Sequence, residues 1–148
     1  MVDIRHRVGI TAAPERIYQA FTTTEGLAGW WTPGVEGDPN TGGTLRFFFG
    51  GPEPGATMEV VESAPFRRVR WRCTAGPDEW VGTSLAFDLT PADDETVVVL
   101  THADWRDATE FMGHCSTKWA VFLLGLKDGF EGGKATPFPD DGTISSWG

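Results

Sequence analysis

Residues 109–131 read TEFMGHCSTKWAVFLLGLKDGFE, and this stretch decides the predicted fold. Large apolar or thiol side chains recur in it at helical spacing and form one broad face: Phe111, Cys115, Trp119, Phe122, Leu123, Leu126 and Phe130. Thr109 is suited to cap the helix N-terminus, and Gly132-Gly133 can end the helix. No other stretch predicts a helix of this length, so we expect the rest of the chain to form a sheet that wraps around it.

Composition and charge limit the classes of protein to which the chain can belong. Of its 148 residues, 40% are hydrophobic and 22% are charged, which predicts one folded domain. The formal charge of −9 disfavours nucleic acid and anionic membranes as partners, because both bind positively charged surfaces. Two cysteines make no disulfide framework, and we find neither a signal peptide nor an apolar run that could span a bilayer. We therefore expect a cytoplasmic protein without membrane insertion.

The chain before the long helix reads as strands and two short helices. Apolar and polar residues alternate in six segments, as they do in strands with one buried face. The predicted strands are residues 3–11, 44–49, 56–63, 67–74, 79–90 and 95–105. Two short helices follow the first strand, the first opened by Pro14 and the second stopped before Pro33, and residues 34–43 are expected to form a loop. This order predicts an α+β fold in which a curved antiparallel sheet grips the long helix.

The last predicted strand is apolar on both faces, so its register has to be chosen. We place Leu100 and His102 inside, because the other face is β-branched and ends in Thr101, which suits an open sheet surface. A slip of one residue would reverse this assignment.

Four local patterns precede the long helix in a fixed order. They are ITAAPERIYQAF at 10–21, TEGLAGWW at 24–31, VVESAPFRRVRW at 60–71 and TVVVLTH at 96–102. Together with the helix they resemble the SRPBCC superfamily, the START and Bet v 1-like helix-grip proteins. Within it, the chain is similar to the bacterial branch related to the activator of Hsp90 ATPase domain. The resemblance suggests a helix-grip domain at residues 1–133, followed by a C-terminal tail at residues 134–148.

The resemblance implies a seven-stranded sheet, one strand more than the alternation shows. It also implies a cavity between the long helix and the sheet that often holds a small hydrophobic or amphipathic molecule. Some relatives are polyketide cyclases or aromatases, some carry lipids and some contact Hsp90, so the fold by itself names no reaction.

His102 is the foremost polar candidate in the expected cavity. A histidine there would act as a polar anchor or as a general acid or base, with Asp104 close enough along the strand to pair with it. The alternative is a core histidine whose ring is satisfied by hydrogen bonds. The remaining candidates are aromatic or thiol side chains that read toward the interior. The predicted ligand-binding set is Trp31, Phe47, Trp71, Phe87, His102, Cys115, Trp119 and Phe122.

The sequence gives little support for a metal site, a cysteine nucleophile or a phosphate-binding loop. A zinc site formed by His102, His114 and Cys115 would have suitable ligand atoms, but their spacing matches no known metal motif. Cys115 lacks an identifiable third group that would orient a histidine base, so we name no catalytic residue. The glycine-rich loop at residues 50–55 lacks the Lys-Ser/Thr ending of a phosphate-binding loop. We expect neither a metal nor a cofactor.

Three functions remain after these exclusions. The first is binding of a small hydrophobic or amphipathic ligand without catalysis, and we rank it above the others. The second is a cyclase-like or aromatase-like enzyme that uses His102 as its acid or base. The third is a module that contacts an Hsp90-type chaperone. A homodimer is compatible with each of them.

Overall fold

The computed structural model describes residues 1–148 and contains seven strands and three helices. The long helix lies against the concave side of one antiparallel sheet, as expected for an α+β helix-grip fold. In chain order the elements are β1 (Val2–Ile10), α1 (Pro14–Thr22), α2 (Thr24–Ala28), β2 (Gly34–Gly37), β3 (Thr44–Phe48), β4 (Ala56–Ala64), β5 (Arg68–Ala75), β6 (Ser84–Pro91), β7 (Thr96–Trp105) and α3 (Glu110–Phe130).

The sheet is a meander with one crossing. Its strand order is β1-β7-β6-β5-β4-β3-β2, and every neighbouring pair is antiparallel. After β1 the chain passes through α1 and α2 to the opposite edge, returns strand by strand to β7, and pairs β7 with β1.

The predicted boundaries of the long helix are confirmed. The Thr109 hydroxyl accepts a hydrogen bond from the Met112 backbone N–H at 3.1 Å, which satisfies one of the free donors of the first turn. The helix ends at Phe130, and Gly132 follows with a φ of 91°, a left-handed conformation that glycine adopts without strain.

Two strand predictions are corrected by the structure. Residues 34–37, expected in a loop, form the edge strand β2, which pairs with β3 and supplies the seventh strand. The segment is short and has glycine at both ends, so it shows no alternating pattern in the sequence. Its pairing with β3 identifies it as a strand. Strand β6 begins at Ser84 rather than Glu79, because residues 77–82 turn back on themselves: the Trp80 N–H donates to the Pro77 carbonyl at 2.8 Å.

Aromatic side chains fill the space between the centre of the sheet and α3. Phe47, Trp71, Phe87 and His102 have no accessible surface, and the Phe21 and Phe87 rings stack at 4.2 Å. A hollow was expected in this place, but the structure has solid packing there. The register predicted for β7 is confirmed, since Leu100 and His102 are both fully buried.

The C-terminal tail, residues 134–148, folds back along α3. The Phe138 N–H donates to the Trp31 carbonyl at 2.8 Å, and the Phe138 ring lies edge-on to Phe49 at 5.4 Å. Gly129 of α3 permits this approach, because a Cβ there would come within 3.3 Å of the Ala135 Cβ. The tail thus forms a wall beside the helix. The division of the chain at residue 133 stays a prediction.

Candidate functional site

A cavity of about 360 Å³ lies between the N-terminal half of α3 and the tail. One stripe of the helix faces it, because positions spaced by three and four residues share a side of an α-helix. These helix residues are Phe111, His114, Cys115, Lys118, Trp119 and Phe122. The opposite side is formed by the tail, with Phe138 and Trp147 as its aromatic members.

Indole rings close the inner end of the cavity. Trp31, which lies between α2 and β2, contacts Trp119 with ring centroids 5.0 Å apart. Trp80 stacks on Trp119 at 5.9 Å and on Trp31 at 6.5 Å. All three side chains are largely buried, so they form a rigid apolar floor between the cavity and the core.

The cavity holds one ion pair. The Lys118 ammonium contacts Asp141 Oδ2 and donates to the Gly142 carbonyl at 2.7 Å. The two charged side chains are only 18% and 7% exposed, so the pair is poorly screened by water. At the rim, His114 Nδ1 lies 3.3 Å from the Ser145 hydroxyl.

His102 lies behind this floor and does not line the cavity. The Trp119 indole N–H donates to His102 Nδ1 at 3.1 Å, which makes Nδ1 an acceptor. The Thr83 hydroxyl donates to the Trp80 carbonyl at 2.6 Å, so His102 Nε2–H donates to Thr83 Oγ1 at 2.8 Å. Both ring nitrogens are therefore satisfied in a neutral imidazole. Burial lowers the pKa of His102 to about 3, so the neutral form persists far below neutrality.

This arrangement corrects the expectation that His102 is a polar anchor or an acid or base. Asp104 does not pair with it: Asp104 is exposed, has a φ of 71°, and its backbone N–H donates to Asp3 Oδ1 at 3.0 Å. The alternative of a satisfied core histidine describes the geometry.

Cys115 is at the cavity wall, but its environment does not activate it. The Trp80 indole N–H donates to Cys115 Sγ at 3.4 Å. Burial raises the pKa of the thiol to about 11, so the nucleophilic thiolate is scarce near neutral pH. The structure contains no group of three His, Cys, Asp or Glu side chains that could hold a metal ion.

The predicted ligand-binding residues divide into two sets. Trp31, Cys115, Trp119 and Phe122 line the cavity. The other predicted residues lie in the packed core and do not line the cavity: Phe47, Trp71, Phe87 and His102.

Sequence reasoning missed the polar pair and the tail. Lys118 shares the helical stripe of Cys115 and Phe122, a spacing that could have revealed it. The signal in the tail was weaker: Phe138 and Trp147 are large apolar residues within a Pro-, Gly- and Asp-rich segment. Asp141 carried no recognisable signal.

A family model for activator of Hsp90 ATPase homolog 1-like proteins matches residues 11–131, which is most of the chain. The chain belongs to this family. The match covers α1 through α3, and the sequence resemblance to the SRPBCC superfamily is confirmed. No match to the chain was found among curated proteins.

Several solved structures are similar to this chain. The solution structure of the Aha1 dimer from Colwellia psychrerythraea is 46% identical, with 91% of this chain and 100% of that chain covered and a TM-score of 0.82. CalU16 from Micromonospora echinospora is 21% identical, with coverages of 97% and 74% and a TM-score of 0.77. SSP2350 from Staphylococcus saprophyticus is 16% identical, with coverages of 92% and 97% and a TM-score of 0.76. The last two similarities show the fold alone.

None of the helices has the length and apolar character needed to cross a membrane.

The buried neutral His102 should make stability depend on pH. Above about pH 6.5 the ring is neutral in both the folded and the unfolded chain and contributes no pH dependence. As pH falls toward about 3, the unfolded chain binds a proton that the folded chain rejects, so the free energy of unfolding decreases by up to about 1.4 kcal/mol per pH unit. A His102→Gln variant keeps a donor and an acceptor but cannot titrate.

Urea denaturation of both proteins between about pH 7 and about pH 4.5 measures this effect. We expect the stability of the wild type to fall more steeply with acid than that of His102→Gln. Parallel curves for the two proteins would show that His102 is not held neutral in the fold.

Proposed function

We propose that the protein binds a small hydrophobic or amphipathic molecule in the cavity between α3 and the tail. The observation that carries this proposal is a hollow of about 360 Å³ in which aromatic rings form much of the wall and the one lysine and one aspartate side chain form an ion pair. Pockets for small ligands have about this size, with mostly apolar linings and a few polar groups that fix orientation.

The walls suit an apolar guest for two reasons. Burial of apolar surface against the rings of Trp31, Trp119 and Phe122 contributes about 25 cal/mol per Å² removed from water. The Trp31, Trp80 and Trp119 rings are held by one another, so little side-chain entropy is lost when a ligand contacts them. Binding needs no rearrangement of the core.

His102 and Cys115, the two residues considered for catalysis, do not suit that role. An enzyme of the cyclase or aromatase kind requires an acid or base that can reach the substrate. His102 has both ring nitrogens engaged and lies behind the Trp80 and Trp119 rings, so it cannot take this part. The Cys115 thiol is equally unsuited, because its pKa is raised.

A phenylalanine introduced at Cys115 should fill the cavity. Cys115→Phe places a ring in the space, and we expect at least about a tenfold weaker affinity for the neutral apolar fluorophore N-phenylnaphthylamine. Fluorescence titration gives the dissociation constant, and circular dichroism checks that the variant is folded. Thr117→Phe is the matched control, because it puts the same residue on the exposed side of α3, outside the cavity. Equal affinities for the two variants would place the fluorophore elsewhere.

Contact with an Hsp90-type chaperone is the second candidate function. It is favoured by the family match over residues 11–131 and by 46% identity to a protein named Aha1. We expect the purified protein to raise the rate of ATP hydrolysis by the Hsp90-type chaperone of its own source, measured at increasing molar ratios. An unchanged rate at saturating ratios, together with no association in sedimentation, would remove this function.

We also propose that the protein forms a homodimer. The Colwellia structure is a dimer, and the match covers all of that chain at 46% identity, so many contact residues are expected to be shared. Size-exclusion chromatography with light scattering should give twice the 16.1 kDa of one chain. A mass of 16.1 kDa across the concentration range would contradict the dimer.

A further inference from the structure

Lys118 is the only lysine or arginine that lines the cavity, and both of its polar partners belong to the tail. The lysine projects from α3, a helix of 21 residues whose inner face is anchored in the core. Its partners, Asp141 and Gly142, lie in a segment without helix or strand. The backbone of Lys118 is therefore held by a helix, whereas its counter-ion Asp141 belongs to an irregular segment of the tail.

The tail is held to the body by a small number of interactions around this ion pair. The Phe138 backbone N–H donates a hydrogen bond to the Trp31 carbonyl. The Trp147 ring lies edge-on to the His114 ring, with centroids 5.7 Å apart. Trp147 remains 58% exposed, so its contact with the body is partial. Apart from the contacts of Lys118, residues 140–148 contact α3 through the Ser145–His114 hydrogen bond and through the Trp147 ring.

The Lys118 ammonium is largely buried, so it needs an anion beside it. Without Asp141 or a replacement for it, the ammonium would lose the attraction that offsets its desolvation. The carboxylate of a ligand offers the same charge and the same oxygen acceptors as the Asp141 side chain, so one can replace the other at little cost. The apolar part of such a ligand would meet the rings of Phe122 and Trp119 beside the lysine.

We propose that the cavity takes an amphipathic anion, an apolar molecule with one carboxylate, which displaces Asp141 from Lys118. This inference rests on the proposed ligand-binding function and names the chemical class of the ligand. Asp141 then acts as a built-in competitor, since its attachment to the same chain gives it a high effective concentration at Lys118.

Ligands of other charge fit less well. A cationic ligand would face the Lys118 ammonium, which α3 holds in place, and would be repelled at close range in a poorly hydrated site. A neutral ligand fills the apolar space but gains nothing from the lysine. The expected order of affinity is therefore carboxylate, then neutral alcohol, then amine.

Competition between matched ligands tests this order. Decanoate, decanol and decylamine share one chain and differ in the head group, and each displaces N-phenylnaphthylamine from the cavity below its micellar concentration. For the wild type, we expect decanoate to bind about threefold more tightly than decanol, because its contact with Lys118 replaces the contact with Asp141. Asp141→Asn removes the competing charge with little change of shape, so the advantage of decanoate should grow severalfold.

Lys118→Met should abolish the difference, so that decanoate binds no better than decanol. Lys118→Gln serves as a second variant if the methionine protein does not fold. Equal binding of decanoate and decanol by the wild type and by Asp141→Asn would overturn the anion proposal but leave apolar binding intact. A decanoate advantage that persists without Lys118 would also overturn it. Failure of all three ligands and of the fluorophore to bind, checked by direct calorimetry, would remove the proposed function itself.

Discussion

One buried hydrogen bond joins the long helix to the sheet, and the placement of the candidate site depends on it. The Trp119 indole of α3 donates to His102 of β7, and the chain of donors continues through Thr83 to the Trp80 carbonyl. These groups are buried, so each must be satisfied within the protein. The bond fixes the Trp119 ring, and the ring closes the cavity on its inner side.

The packing of the core explains why the cavity lies beside the helix. Large aromatic side chains on the concave face of the sheet fill the region under the middle of α3, where relatives of the superfamily are expected to have their hollow. A cavity remains beside the helix stripe from Phe111 to Phe122, and there the tail supplies the opposite wall. The same tail brings the one carboxylate that meets Lys118. The proposed apolar site with a replaceable counter-ion rests on this geometry.

Local patterns were sufficient to predict much of the fold. The face of α3, its Thr109 cap and the inward register of Leu100 and His102 follow from periodicity and capping, which are properties of short segments. Strand β2 was missed because its pairing with β3 is a tertiary interaction. Half of the predicted site residues line the cavity. The role of His102 could not be predicted, because its inward direction is visible in the sequence but the positions of Thr83 and Trp119 around it are not. The wall formed by the tail depends on chain reversal after α3, for which no periodic signal exists.

The seven tryptophans allow the central claim to be tested residue by residue. Indole N–H signals in a heteronuclear NMR spectrum report on each ring, and they can be followed while decanol is added. An apolar guest between α3 and the tail should shift the signals of Trp31, Trp80, Trp119 and Trp147, which line the cavity. The remaining rings, Trp30, Trp71 and Trp105, are buried outside it and should change little. Shifts confined to these core rings, or no shifts at saturating decanol, would contradict the account.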